Sequence, residues 1–381
     1  MLVPKLRFKE FDNKYVEYKL KDIVNFYKGN ILSKSDIVID GKIPCILYGE
    51  LYTKYSEITK HIFSYTNNKN KNLFYSKVND VLIPCSGETA LDISTSTCVL
   101  LNDVALGGDL NVLRPKNIDG KYLSYLLSNK KRITIAKYAQ GDSIVHLYAD
   151  KIKNINIILP SLDEQEKVSL LLELLNKKIE LQQRKIEVLK MYKRGLIQNL
   201  MKSSTNWNEF KIKDLFKITR GIVIPKTSLK EFQDSVYKYP VYSSQTSNYG
   251  ILGYDKDYDF DGEYLTWTTD GANAGKVFYR KGRFRCTNVC GVLYTNKNND
   301  YINLLTADLL NYETPKHVSY VGNPKLMNNV IAEIKFKLPS LSIQKDISRI
   351  FNALEQKNNN YSMKLQTLQN YKKSLLQQMF I

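Results

Sequence analysis

The chain has 381 residues, 43% of them hydrophobic and 11% aromatic, enough for two or three packed domains and too apolar for wholesale disorder. It carries 56 Lys+Arg against 38 Asp+Glu, a net charge of +18 spread along its whole length, which suits a folded protein that meets a long polyanion. No apolar run is long enough for a membrane span, Met1-Leu2-Val3-Pro4-Lys5 lacks the apolar core of a secretory signal, and five scattered cysteines fit buried thiols in a reducing cytoplasm.

Residues 1–158 are expected to form a first domain of mixed α/β type. β-rich runs at Ile43–Tyr48, Asp80–Pro84, Thr97–Leu101 and Ile155–Leu159 predict strands, and Tyr122–Ser128 a short helix. Gly107-Gly108 and Gly141-Asp142 mark turns. The loop Tyr48-Gly-Glu-Leu-Tyr-Thr-Lys-Tyr55 mixes aromatic, hydroxyl and charged groups, and Lys130-Lys131-Arg132 with Lys137 is a basic run.

Residues 159–206 open with Leu-Pro-Ser and continue as a long helix. Pro160 ends the preceding strand and Ser161 is placed to cap. Val168, Leu172, Leu175, Ile179, Gln182, Ile186, Leu189, Lys193, Leu196 and Leu200 step by four and three, the spacing of a coiled-coil seam.

Residues 207–337 read as a second mixed domain, with strands at Tyr264–Thr268, Lys276–Tyr279, Val289–Tyr294 and Ile331–Leu338 and a helix at Tyr301–Leu310. Its loop Tyr242-Ser-Ser-Gln-Thr-Ser-Asn-Tyr249 follows a short strand containing proline, as the first domain's loop does. Arg280-Lys281 with Arg283 and Arg285 forms another basic run. Residues 338–381 begin again with Leu-Pro-Ser, Ser340 now in the capping place. A second seam runs through Ile347, Phe351, Leu354, Asn358, Tyr361, Leu365, Leu368, Lys372, Leu375 and Met379.

These segments are two copies of one unit. Residues 159–201 align with 338–380 without a gap at a constant offset of 179, with identities that include Leu159/Leu338, Pro160/Pro339, Gln165/Gln344, Lys185/Lys364, Leu189/Leu368, Tyr192/Tyr371, Lys193/Lys372, Leu196/Leu375 and Gln198/Gln377. Upstream, the run from Tyr15 to Ile23 parallels the run from Trp207 to Leu215, and Lys28-Gly29 parallels Arg220-Gly221. The intervening stretches diverge, as expected of one module kept for the same job on different targets. The fold expected is therefore α+β: two mixed α/β domains, each followed by a long helix, related by a pseudo-twofold repeat. Short connections favour antiparallel pairing of the helices, through Leu172, Leu175, Ile179, Ile186, Leu189 and Leu196 of the first and Phe351, Leu354, Tyr361, Leu365, Leu368 and Leu375 of the second. Gln182, Lys193, Asn358 and Lys372 interrupt the seam, either fixing its register or marking a solvated stretch.

The two mixed loops are read as DNA-facing, since Asn or Gln pairs with adenine, Ser or Thr bonds several bases, and Lys or Arg suits guanine and phosphate. The candidate set is Lys28, Tyr48, Glu50, Tyr52, Lys54, Ser86 and Thr89 in the first domain. In the second it is Arg220, Ser243, Ser244, Gln245, Thr246, Asn248, Tyr249, Asp270, Asn273 and Lys276. Catalytic motifs are weak by comparison. Gly271-Ala-Asn-Ala-Gly275-Lys276 is one residue short of a phosphate-binding loop and Val277 replaces the magnesium-binding hydroxyl, so a strand-to-strand turn is the better reading. Cys286 and Cys290 have no second Cys/His pair for zinc, and His61, His146 and His317 show no paired catalytic neighbour. Asp163, Glu164 and Glu166 sit where acids favour a helix start, and Ser342, Ile343 and Lys345 replace them in the second copy.

The order domain, helix, domain, helix resembles the specificity (S) subunit of type I restriction–modification systems. So do the phrases Leu-Pro-Ser-Leu-Asp-Glu-Gln-Glu-Lys167, Tyr192-Lys-Arg-Gly-Leu-Ile-Gln-Asn-Leu-Met201, Gly271-Ala-Asn-Ala-Gly-Lys276 and Gly108-Asp-Leu-Asn-Val-Leu113. The likeness implies two target-recognition domains, 1–158 and 207–337, each reading half of a bipartite double-stranded DNA site, with the helices 159–206 and 338–381 as a fixed spacer. It implies two methyltransferase (M) subunits carrying S-adenosylmethionine and restriction (R) subunits using ATP and magnesium, and neither catalysis, cofactor nor metal in this chain. A stand-alone nuclease would need metal-dependent cleavage by the chain alone. A non-DNA structural adaptor would fail to bind DNA even with M subunits present.

Overall fold

In the computed structural model, which describes residues 3–142, 144–295 and 299–381, the repeated ends of the two copies fold alike. Strand Val16–Lys19 pairs antiparallel with Asn156–Leu159, Val16 opposite Leu159. Asn208–Lys211 pairs the same way with Lys335–Leu338, Asn208 opposite Leu338. A single helical turn follows each first strand, burying Leu20 and Ile23 in one copy and Ile212 in the other. Leu20 N donates to Ile155 O at 3.0 Å and Ile212 N to Ile334 O at 3.1 Å. The matched glycines also share one role. A Cβ on Gly29 would lie 2.0 Å from Gly107 O, and one on Gly221 1.9 Å from Cys286 O, so each strand end passes another backbone too closely for a side chain.

Between these matched ends the copies differ. The first domain has a five-stranded sheet ordered Val24–Lys28, Leu110–Pro115, Asp80–Pro84, Thr97–Val99, Ile58–Thr59, and a four-stranded one ordered Ser64–Thr66, Ile43–Ile46, Ala105–Leu106, Phe74–Tyr75. The second has one six-stranded sheet ordered Lys217–Arg220, Cys290–Tyr294, Phe260–Thr268, Val277–Cys286, Tyr239–Tyr242, Ile251–Asp255. Several expected elements shift. The helix expected at Tyr122–Ser128 runs from Gly120 to Tyr125 and widens into a π turn, Leu126–Lys130. The one expected at Tyr301–Leu310 spans Leu304–Glu313. The strand expected from Ile331 begins only at Lys335, because Asn328–Glu333 is helical and buries Ile331.

The long helices span Leu162–Lys202 and Leu341–Gln378. The first, 41 residues, is about 60 Å long. Ser161 does not cap it: its hydroxyl is buried without a hydrogen-bond partner. Gln165 closes the turn instead, its side-chain amide donating to Pro160 O at 3.0 Å while its carbonyl accepts from Asp119 N at 3.2 Å. Gln344 repeats this in the second copy, donating to Pro339 O at 2.9 Å and accepting from Asn303 Nδ2 at 3.2 Å. Asp119 and Asn303 are the N-caps of the two domain helices, so each retained glutamine ties its long helix to its own domain.

The chain divides into two compact units, residues 1–182 with 364–381 and residues 183–363. Within the first, Leu172 and Leu175 share a core with Leu375, Leu376, Met379 and Phe380, and Ile179 and Leu368 pack at its edge. Within the second, Phe351 shares a core against which Leu196, Ile197, Leu200, Ile347 and Leu354 pack. In both units the start of one long helix therefore meets the end of the other, as antiparallel pairing requires. Ile186 is buried, and Leu189, Tyr361 and Leu365 are half-buried on the same seam frame.

Lys193 and Lys372 do not lie on a solvated stretch. Lys193 Nζ meets Asp308 at 2.8 Å and Glu355 at 3.4 Å over the Phe351 ring, and Lys372 Nζ donates to both oxygens of Glu57 at 3.1 Å. Burial pushes the Asp308 carboxyl up against the pull of Lys193. Glu173, hydrogen-bonded by Lys60 and Lys121, is held below the ordinary glutamate range and adds a second tie in the first unit. Among the described residues no helix is long and apolar enough to cross a membrane.

Candidate nucleic-acid interface

In the first domain the strand ends bring much of the candidate set to one edge. Lys28 ends the strand Val24–Lys28, and its exposed ammonium stands 4.0 Å from Asp109. Gly29 beside it meets Gly107, and a Cβ on Gly107 would lie 2.6 Å from the side chain of Leu47. That places the start of the Tyr48–Tyr55 loop next to Lys28. The Tyr52 ring backs onto Gly87, where a Cβ would lie 3.5 Å from Cε1, so the Ser86–Thr89 segment adjoins the same loop. Burial raises the Tyr52 hydroxyl pKa above its ordinary value, helped by Tyr48, Glu88 and Asp92 nearby.

Not every candidate faces outward. Glu50 is buried, and its carboxylate accepts from Leu47 N at 3.0 Å, Lys54 Nζ at 2.8 Å and the Ser64 hydroxyl. The Ser86 hydroxyl is buried against His146 Nδ1 at 3.0 Å. Both shape the loops from beneath, because a short helix, Glu50–Thr53, and a short strand pair, Ser86–Gly87 with Val145–His146, turn them inward. Thr89 is exposed and donates to Asp92 at 2.6 Å. Tyr48 and Lys54 keep exposed surface.

The second domain builds an equivalent edge with different chemistry. Arg220 ends its strand and donates from Nε to Asn328 Oδ1 at 2.6 Å. Ile222 bridges to Thr287, whose hydroxyl donates to Ser243 at 3.1 Å, so the Ser243–Tyr249 loop adjoins the Arg220 strand end. Asp270 bridges to Lys325, three residues before Asn328, which brings it to the same edge. Asn248 and Tyr249 both take left-handed backbone angles, φ 48° and 53°, unusual for tyrosine. Tyr249 donates to Asn359 of the second long helix at 2.6 Å, and Gln245 donates to Ile251 O of its own loop. Ser244 and Thr246 are half-buried, and Asn273 and Lys276 are exposed on the hairpin between Phe260–Thr268 and Val277–Cys286. That hairpin is the strand-to-strand turn expected of Gly271–Lys276, closed by Gly275 N donating to Thr268 O at 2.8 Å.

Arg280, the first residue of the basic run that also holds Arg283 and Arg285, is buried beneath this loop. Its guanidinium lies 3.6 Å from the Tyr242 ring centroid and 4.4 Å from that of Phe278, and Nε donates to Thr266 at 3.1 Å. The basic run hid it, since charge runs normally mark solvated faces. Of the acids in the first helix turn, Glu164 is structural: it is buried, accepting from Arg7 at 2.9 and 2.8 Å and from the Tyr15 hydroxyl at 2.9 Å. Cys286 and Cys290 are buried thiols with sulfurs 3.4 Å apart, and among the described residues no three His, Cys, Asp or Glu side chains gather to hold a metal.

The repeated framework has counterparts among known proteins. The family model of the type I restriction modification DNA specificity domain matches residues 12–191 and again 204–370. A candidate type I specificity subunit of Mycoplasma pneumoniae is 38% identical over 220 residues, covering 56% of this chain and 80% of that protein. The MpnII type I restriction enzyme specificity subunit of the same organism is 41% identical over 161 residues, covering 42% of this chain and 47% of its own. In fold, the S subunit of a type I restriction–modification system from M. genitalium superposes with a TM-score of 0.73 at 17% identity, covering 100% of this chain and 99% of that one. The chain belongs to the type I restriction–modification DNA specificity family, with one copy of its domain in each repeat.

Proposed function

We propose that each of the two domains reads one half of a bipartite DNA site for a type I restriction–modification complex, and that the reactions are performed by other subunits. The observation that carries this reading is the duplication itself. On the same framework, each copy sets a basic strand end, Lys28 or Arg220, beside a loop of aromatic and hydroxyl groups whose sequence differs between copies. Shared framework with divergent loops is what two half-sites of different sequence require. The paired long helices, with a length set by their seam, would fix the gap between the halves.

Docking of two methyltransferase subunits is part of the proposal. It is supported by a second apolar stripe on the first long helix: Leu170, Leu174, Leu181, Val188 and Tyr192 are each at least half exposed. Leu174, Leu181 and Val188 each lie two residues beyond seam positions Leu172, Ile179 and Ile186, hence on the opposite face of the helix. Ile343, Ile350 and Tyr371 of the second helix are exposed beside its seam. S-adenosylmethionine is assigned to the methyltransferase subunits, and ATP and magnesium to restriction subunits, with a cytoplasmic location for the complex. Expressed with its methyltransferase subunits, the chain should direct methylation to adenines in a two-part sequence with a constant gap. Mapping modified bases across the host genome tests this, and methylation of an uninterrupted site, or none dependent on this chain, contradicts it.

A further inference from the structure

In the first unit a groove of about 580 Å³ opens between the end of the helical segment around Ser128–Arg132 and the last turns of the second long helix. Four cations line it, Lys130, Arg132, Lys372 and Lys373, against the single carboxylate of Glu57. Lys372 neutralises Glu57. Among the described residues Arg132 donates from Nε and Nη2 only to the carbonyl of Leu91, at 3.3 and 3.0 Å, and forms no ion pair. Lys130 and Lys373 are exposed and, among the described residues, form no ion pair. Three positive charges thus line the groove without an ion-pair partner among the described residues.

Two further features give the groove a direction. Glu57 lies two residues beyond the Tyr48–Tyr55 loop, and Leu91, whose carbonyl Arg132 holds, two beyond Thr89, so the groove adjoins the chain leading out of both candidate segments. The π turn Leu126–Lys130, closed by Lys131 N donating to Leu126 O at 3.0 Å, forms its wall, and such turns are commonly retained where they serve a site. The lysine pair is also repeated: Lys372-Lys373 corresponds to Lys193-Arg194, an inner cation pinning the helix and an outer one exposed.

We propose that this groove holds the sugar–phosphate backbone of the duplex that the first domain reads, with Lys130, Arg132 and Lys373 as phosphate contacts. It rests on the reading function above. A row of cations without ion-pair partners among the described residues, beside a base-reading face, suits phosphates, which position the duplex without selecting its sequence.

The test uses the full chain in complex with its methyltransferase subunits, titrated by fluorescence anisotropy with a cognate and an unrelated duplex over a range of salt. For K130Q/K373Q the slope of log affinity against log salt should be shallower by about two, roughly 0.9 per lost phosphate contact. Affinity for both duplexes should fall by the same factor, leaving their ratio unchanged, and K130R/K373R should retain the wild-type slope. The single variants, each losing about one unit of slope, keep the test valid if the double variant folds poorly. An unchanged slope, a loss confined to the cognate duplex, or loss of the methyltransferase subunits with the slope retained would overturn the proposal, the last outcome marking a protein-docking groove. If the wild-type complex failed to distinguish the duplexes, the reading function would fall while the slope comparison still judged the groove.

Discussion

Lys193 shows how one residue type at one repeated position serves both register and docking. It sits on the helix seam, yet its ammonium reaches Asp308 on the helix Leu304–Glu313. Removing it leaves a largely buried carboxylate without its cation, which costs more than the pair itself contributes. Lys193→Met should therefore lower unfolding free energy by about 1–3 kcal/mol in denaturant titration. Lys193→Met with Asp308→Leu should recover most of that loss, because an apolar pair replaces an ionic one without stranding a charge. A double variant no more stable than the single would refute the pinning role. The identity Lys193/Lys372 was visible in the sequence, but its reason was not, since the partners Asp308 and Glu57 come from unrelated places in the two domains. Glu50 and Ser86 illustrate the converse. Their polarity suggested base contacts, and nothing local in the sequence disclosed that short elements fold them inward.

At the scale of elements, the heptad seam was legible because helix periodicity and burial report the same geometry, and Val168, Leu172, Leu175 and Leu375 are all buried. The π turn and the helix Asn328–Glu333 were not, because each depends on packing by distant segments rather than on local pattern. Leu174 and Leu181 of the second stripe keep about half their surface exposed. Leu174→Ser with Leu181→Ser should leave the melting temperature of the isolated chain nearly unchanged while abolishing co-purification of methyltransferase subunits. Substitutions of the buried Leu172 or Leu375 should do the opposite first, lowering stability by about 2–5 kcal/mol. Retained co-purification in the stripe variant would remove the docking face from the account.

For the molecule as a whole, the constant 179-residue offset made the alternation of domain and long helix legible, while the family was legible only through the likeness of its order and local phrases. The identity of each half-site was not legible, because the two domains use different sheets to support their loops and side-chain type does not map onto bases without the docked geometry. On the function proposed here, reading is divided between two separable modules. The most direct measurement replaces residues 15–158 with those of another specificity subunit and maps methylated bases in cells expressing the chimera with its methyltransferase subunits. One half of the modified sequence should change while the other half and the gap persist. A change in both halves, or in neither, would contradict it.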